Sequence, residues 1–107
     1  MKTGLTKRYD LESSFQADAE KLIESMGGYV IKVHVSAHQR KGTPDLTCCY
    51  QGRFVAFELK IKDNKPTPIQ LNKIRRIQLA GGIAKPVWTL AEIKETLHEI
   101  SGIQQDS

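Results

Sequence analysis

The stretch Asp45-Leu46-Thr47-Cys48-Cys49-Tyr50-Gln51-Gly52-Arg53-Phe54-Val55-Ala56-Phe57-Glu58-Leu59-Lys60 decides the fold. Its two arms are rich in β-branched and aromatic residues, and Gln51-Gly52 between them has the length of a two-residue hairpin turn. Two antiparallel strands are expected, Leu46 to Tyr50 and Arg53 to Ile61. In the second, Val55, Phe57, Leu59 and Ile61 alternate with Ala56, Glu58, Lys60 and Lys62, giving one core face and one face that holds Glu58 beside Lys60.

An acid and a base two apart on a strand most often mark a solvated outer face. The neighbouring strand changes that expectation. Stepping outward pair by pair from Tyr50 opposite Arg53 brings Asp45 opposite Glu58, so the two carboxylates become direct cross-strand neighbours. At a separation of ~5 Å and an effective dielectric of ~20 their repulsion is about 3 kcal/mol. Protonating one acid, the adjacent ammonium of Lys60, or a divalent cation between the oxygens would relieve it. Mg²⁺ favours a few carboxylates, several waters and phosphate oxygens, a ligand set that Asp45 and Glu58 can begin. A single bulge in the hairpin would break this register.

Working outward to the N-terminal side, Leu11, Phe15, Ala19, Leu22, Ile23 and Met26 recur at helical spacing, and Gly27-Gly28 ends the pattern. Tyr29 to Val35 alternates as a half-buried strand, with Tyr29, Ile31, Val33 and Val35 on one side and Val30, Lys32 and His34 on the other. A polar, basic loop follows from Ser36 to Thr43. On the C-terminal side, Asp63 to Pro68 is a polar loop, and Thr67-Pro68-Ile69-Gln70 reads as an N-cap, a proline at the first helical position and a capping-box Gln. That helix should run to about Ala80 and stop at Gly81-Gly82. Ile83 to Trp88 is a further strand, and Thr89-Leu90-Ala91-Glu92 opens a last helix to about Ile100. The order is α-β-β-β-α-β-α, with the segment before Asp10 and the tail Gly102 to Ser107 expected as loose termini.

The whole chain of 107 residues has room for about one domain, and 39% hydrophobic with 26% charged residues excludes collagen-like and wholly disordered classes. No apolar run reaches the ~20 residues of a membrane span, and the first residues lack a signal-peptide core, so a cytoplasmic protein is the default expectation. Cys48 and Cys49 are adjacent and would point to opposite faces of a strand, which rules out an ordinary disulfide between them. The formal charge of +4 permits a polyanionic partner without requiring one.

Several further residues carry two readings. With Leu11 at zero on a wheel of about 100° per residue, Glu12 falls near 100°, inside an apolar arc that ends at about 120°. It is either a first-turn acid that complements the helix dipole or part of a site. Gln70 is either a cap or a site residue. Lys32, His34, His38, Arg40 and Lys41 suit phosphate contacts or a solvated loop, and the two histidines lack the spacing and company of a zinc site.

Gly42-Thr43-Pro44-Asp45, then Glu58-Leu59-Lys60, then Gln70 and Leu79-Ala80-Gly81-Gly82 fall in an order that resembles the virus-type replication-repair nuclease domain, VRR-Nuc, of the PD-(D/E)xK nuclease superfamily. The resemblance spans nearly the whole folded chain, with Glu12 as its early acid. It implies an α/β restriction-endonuclease-like core, a central mixed sheet of about four strands flanked by helices, as one domain over residues 1–107. It also implies metal binding by Asp45, Glu58 and the main-chain carbonyl of Leu59, with Glu12 as an outer acid acting through water. Lys60 would orient or deprotonate the attacking water, and Gln70 would position Lys60 or that water. The implied reaction is hydrolysis of DNA phosphodiester bonds with Mg²⁺, or Mn²⁺ in its place. Short stand-alone versions from bacterial viruses resemble Holliday-junction resolvases and act as homodimers, which implies branched DNA as substrate and a bacterial or phage-infected cytoplasm.

Three functions compete. The first is a Mg²⁺-dependent structure-selective DNA endonuclease. The second is a catalytically inactive DNA-binding module of the same fold, suggested by the basic loop Lys32 to Lys41 and by Lys73, Arg75 and Arg76. The third is an interaction protein in which Asp45, Glu58 and Lys60 form only a surface charge network.

Overall fold

The computed structural model describes residues 4–32 and 45–106. Helix α1 spans Glu12–Ser25, and strands β1 (Tyr29–Ile31), β2 (Leu46–Tyr50) and β3 (Arg53–Leu59) follow. Helix α2 (Pro68–Leu79), strand β4 (Ile83–Val87) and helix α3 (Leu90–Asp106) complete the chain, after a short 3-10 turn at Gly4–Thr6. The sheet order is β1-β2-β3-β4, antiparallel except for the parallel pair β3–β4, which α2 bridges. This is the mixed four-stranded sheet with flanking helices, in the order α-β-β-β-α-β-α, expected from the sequence.

The hairpin forms around Gln51 (φ 49°) and Gly52 (φ 79°), two consecutive left-handed residues whose twist suits a two-residue connection. Tyr50 pairs with Arg53 and Leu46 with Phe57, the expected register with no bulge across it. One face of the sheet receives α1 and α3: Phe15, Ala19, Ile23, Ile93, Leu97 and Ile100 pack with Cys48, Tyr50, Val55, Phe57, Leu59 and Val87. The other face receives α2, through Ile74 against Ala56 and Ala84. Because helices cover both of its faces, β3 is buried continuously from Val55 to Leu59. The alternation predicted one covered face; the small residues Ala56 and Ala84 leave room for α2 on the second.

Each Gly-Gly pair does two jobs at a helix end. Gly27 (φ 94°) and Gly81 (φ 98°) take the left-handed conformation that stops the helix. The second glycine lies against the helix it follows: a Cβ on Gly28 would stand 2.6 Å from Ile23 Cγ2, and one on Gly82 2.8 Å from Ile77 Cγ2.

Four sequence expectations are corrected. The segment before Asp10 is not loose where it is described. Tyr9 is 5% exposed, stacks on Phe15 at 4.8 Å between ring centres, and donates from its hydroxyl to Asp18 Oδ2 at 2.6 Å. At the other end α3 runs past Ile100 to Asp106, because no Gly-Gly pair or proline interrupts it. Strand β3 stops at Leu59 rather than Ile61, since Lys62 turns the chain with a left-handed φ of 51°. In β1 it is Val30 that enters the core, while Tyr29 and Ile31 face outward beyond the reach of α2.

Leu11, placed on the apolar arc of α1, is 63% exposed, as it lies outside the first helical turn. Val33, Val35 and the loop Ser36 to Thr43 lie outside the described residues. Cys48 is buried and Cys49 exposed, both as free thiols on opposite faces.

Edge strand β4 carries Pro86, in register with Glu58. The Lys60 N–H donates to the Val87 carbonyl at 2.9 Å, so Val87 directs its backbone groups toward β3 and Pro86 directs its own to the open edge. A residue without an N–H is tolerated there.

Candidate functional site

Continuing the β2–β3 register by one pair sets Asp45 opposite Glu58. The Leu59 N–H donates to Asp45 Oδ2 at 3.0 Å, so the aspartate is tied to the central strand although its surface is exposed. Glu58 is 2% exposed, which excludes a solvated outer position. A buried carboxylate needs partners, and Glu58 has one: Gln70 Nε2 donates to Oε1 at 2.7 Å. The second oxygen, Oε2, is buried without a hydrogen-bond donor among the described residues.

The electrostatics follow from that imbalance. Burial pushes the Glu58 pKa up to about 8, and the neighbouring Asp45 carboxylate adds to the rise. Lys60 acts in the opposite sense, and the charge of Glu12 adds a smaller upward push. Glu12 stands in the first turn of α1, so its negative charge serves the helix dipole and reaches Glu58 at once. Its two sequence readings are compatible.

Gln70 is the cap expected from the sequence and also stands between Lys60 and Glu58. Thr67 N–H donates to its Oε1 at 2.9 Å and its own N–H donates to Thr67 Oγ1 at 3.2 Å, a complete capping box. The half-buried Lys60 donates from Nζ to the same Oε1 at 3.1 Å. One amide side chain thus caps α2, holds Lys60 and reaches Glu58.

The predicted basic surface is only partly described. Lys32 is ion-paired with Glu20, which leaves it less free to meet a phosphate. His34, His38, Arg40 and Lys41 lie outside the described residues. Lys73 is half-buried and Arg75 and Arg76 are exposed on α2. At about 100° per residue, Lys73 lies roughly 60° round the helix from Gln70 and Arg76 roughly 120°, so Lys73 is nearer the site face.

Sequence reasoning missed a strap across the loop that follows β3. Arg8 donates to the Lys62 carbonyl and to Asp63 Oδ1, both at 2.8 Å, and its guanidinium lies 5.8 Å from the Trp88 ring centre. Trp88 Nε1 donates to the Asn64 carbonyl at 2.8 Å, and Lys62 N–H to the Tyr9 carbonyl at 3.1 Å. No periodic pattern marks such contacts. Thr67 did carry a signal, the capping box, but its link to the acids needed the fold.

The donor set fits a hard divalent cation. Among the described residues no three His, Cys, Asp or Glu side chains gather on one point. Mg²⁺ seldom asks for that many, since it retains waters and takes phosphate oxygens. The orphaned Glu58 Oε2 beside the Asp45 carboxylate is the feature that a cation would satisfy.

No protein-family model matches the chain, and no curated protein does. Among solved structures, one described as a "VRR_NUC domain" matches 81% of this chain and 94% of its own, with a TM-score of 0.66 and 28% identity. The chain has a VRR_NUC-like fold and is a nuclease-fold domain. Among the described residues no helix is long and apolar enough to cross a membrane.

Proposed function

We propose that this nuclease-fold domain is a metal-dependent, structure-selective DNA endonuclease that hydrolyses phosphodiester bonds, with branched DNA such as a Holliday junction as its substrate. The single observation that carries this reading is Glu58 Oε2, buried beside a second carboxylate and without a donor among the described residues. A protein that used these residues only as a surface charge network would have no reason to bury Glu58 to 2% exposure.

In this reading Asp45, Glu58 and the main-chain carbonyl of Leu59 hold Mg²⁺, or Mn²⁺ in its place, with Glu12 reaching it through water. A bound Mg²⁺ supplies a Lewis acid for the phosphoryl oxygen and lowers the pKa of water. Lys60 orients the attacking water and offsets charge that develops on the phosphate. Gln70 keeps Lys60 directed at the site through its 3.1 Å contact. Lys73 and Arg76, together with Lys32, His34, Arg40 and Lys41, meet the DNA backbone. A two-fold homodimer would present two such sites to the two strands of a symmetric junction. In α3, Ile93, Leu97 and Ile100 are in the core, so Tyr29 and Phe54, exposed on the sheet face that receives α2, are better placed to meet a second copy.

The test is cleavage of a labelled panel of Holliday junction, flap, splayed arm and linear duplex in Mg²⁺, Mn²⁺ or EDTA. Metal-dependent cutting that is lost in Lys60→Ala is expected. DNA binding that persists in EDTA, with no cutting of any substrate in metal, would replace this reading with a catalytically inactive DNA-binding module.

A further inference from the structure

We propose that Thr67 is a positioning residue of this site, which fixes the direction in which the Gln70 amide lies; the inference rests on the nuclease reading above. An amide side chain has one accepting and one donating end of nearly equal shape. Here Oε1 meets two donors, Thr67 N–H at 2.9 Å and Lys60 Nζ at 3.1 Å, and Nε2 meets one acceptor, Glu58 Oε1 at 2.7 Å. Turned round, the amide would set nitrogen against both donors and oxygen against a carboxylate.

The three contacts differ in permanence. Glu58 and Lys60 reach the amide through side chains that can rotate, whereas the Thr67 N–H belongs to the main chain at the start of α2 and always donates. It therefore fixes the end of the amide at which the oxygen lies. The Thr67 hydroxyl secures this arrangement by accepting the Gln70 N–H at 3.2 Å, which keeps Gln70 at the third position of α2. The helix cap is thereby a part of the site: the same residue starts α2 and orients the group between Glu58 and Lys60.

Three substitutions dissect the two contacts. Thr67→Ser keeps both the hydroxyl and the N–H, Thr67→Ala keeps the N–H alone, and Thr67→Pro removes both. Thr67 has φ −77° and ψ 163°, a conformation that proline and a residue preceding Pro68 both adopt without strain. Thr89→Ala is the matched control, because Thr89 and Glu92 form the equivalent capping box at the start of α3.

Two readouts are taken on each protein: kcat and KM on the preferred substrate in Mg²⁺, and the Gln70 side-chain Nε2 resonances in metal-free protein by ¹⁵N NMR. Expected are parent-like values for Thr67→Ser, a few-fold fall in kcat for Thr67→Ala, and a fall of roughly tenfold or more for Thr67→Pro with KM little changed. The Gln70 amide signals should shift in the order Ser, Ala, Pro. Two results would overturn the proposal: unmoved Gln70 signals in Thr67→Pro, or an equal loss of kcat in Thr89→Ala and Thr67→Ala. If the parent protein cuts no DNA in either metal, the nuclease reading fails alone, and the amide signals still decide whether Thr67 orients Gln70.

Discussion

Gln70 Nε2 donates to Glu58 Oε1 at 2.7 Å, so the first turn of α2 is joined directly to a buried carboxylate on the central strand. Through the same amide Lys60 is held 3.1 Å away on the other side. The acid, the base and the helix start form one unit.

Lys60→Ala should reduce cleavage by at least about 100-fold, the lower end for loss of a positioned proton-transfer group, while DNA affinity stays within a few-fold. Single-turnover cleavage and a gel-shift titration on one substrate check both halves. Equal losses of binding and cutting would assign Lys60 to DNA contact instead.

Asp45→Asn should abolish divalent-ion binding by calorimetry yet raise the stability of the chelated protein at pH 8. Asparagine retains an oxygen for the Leu59 N–H while the charge facing Glu58 is removed. The exposed setting of Asp45 screens the repulsion, so the expected gain is about 1 kcal/mol rather than the ~3 kcal/mol of an unscreened pair. A lower melting temperature in EDTA would show that the two acids do not repel one another.

In chelator, stability should fall as pH rises from about 5 to 8. Glu58 titrates near 8 in the folded protein, well above an unfolded glutamate near 4.5, so between these values the folded state holds a proton that the unfolded state has released. The stabilisation is fully present below the unfolded pKa and is lost as pH passes the folded one. Thermal melts of the parent and of Glu58→Gln across this window test the assignment, with a flatter profile expected for the variant.

Gly28→Ala should destabilise the protein by about 1–3 kcal/mol, since the new Cβ would press on Ile23 Cγ2 at 2.6 Å beside the core. Gly52→Ala meets nothing within 4 Å but carries φ 79°, so its cost is backbone strain alone. Urea unfolding of the two variants separates crowding from strain.

The hairpin register was legible because Gln51-Gly52 leaves the pairing no freedom, and the Asp45–Glu58 pair follows from it by counting. Both capping boxes were legible because Thr-x-x-Gln and Thr-x-x-Glu are local patterns. The second cover on β3 was not, because Ala56 and Ala84 read as neutral residues until a helix fills the space they leave. The anchoring of Tyr9 was equally hidden: its partners Phe15, Asp18 and Lys62 lie on two separate elements, and no period in the sequence links them. The double role of Gln70 stayed undecided because spacing identifies a cap but gives no account of what else the side chain touches.

Pro86 has a consequence for the behaviour of the protein in bulk. An open strand edge is a template on which a stray chain can add and seed aggregation. Two β4 residues face that edge: the Ala84 carbonyl already accepts from Gln78 Nε2 at 2.9 Å, and Pro86 has no hydrogen to offer. Lys85 between them adds a charge that an incoming strand must meet, so sheet growth by strand addition is disfavoured at the end of the edge next to the candidate site.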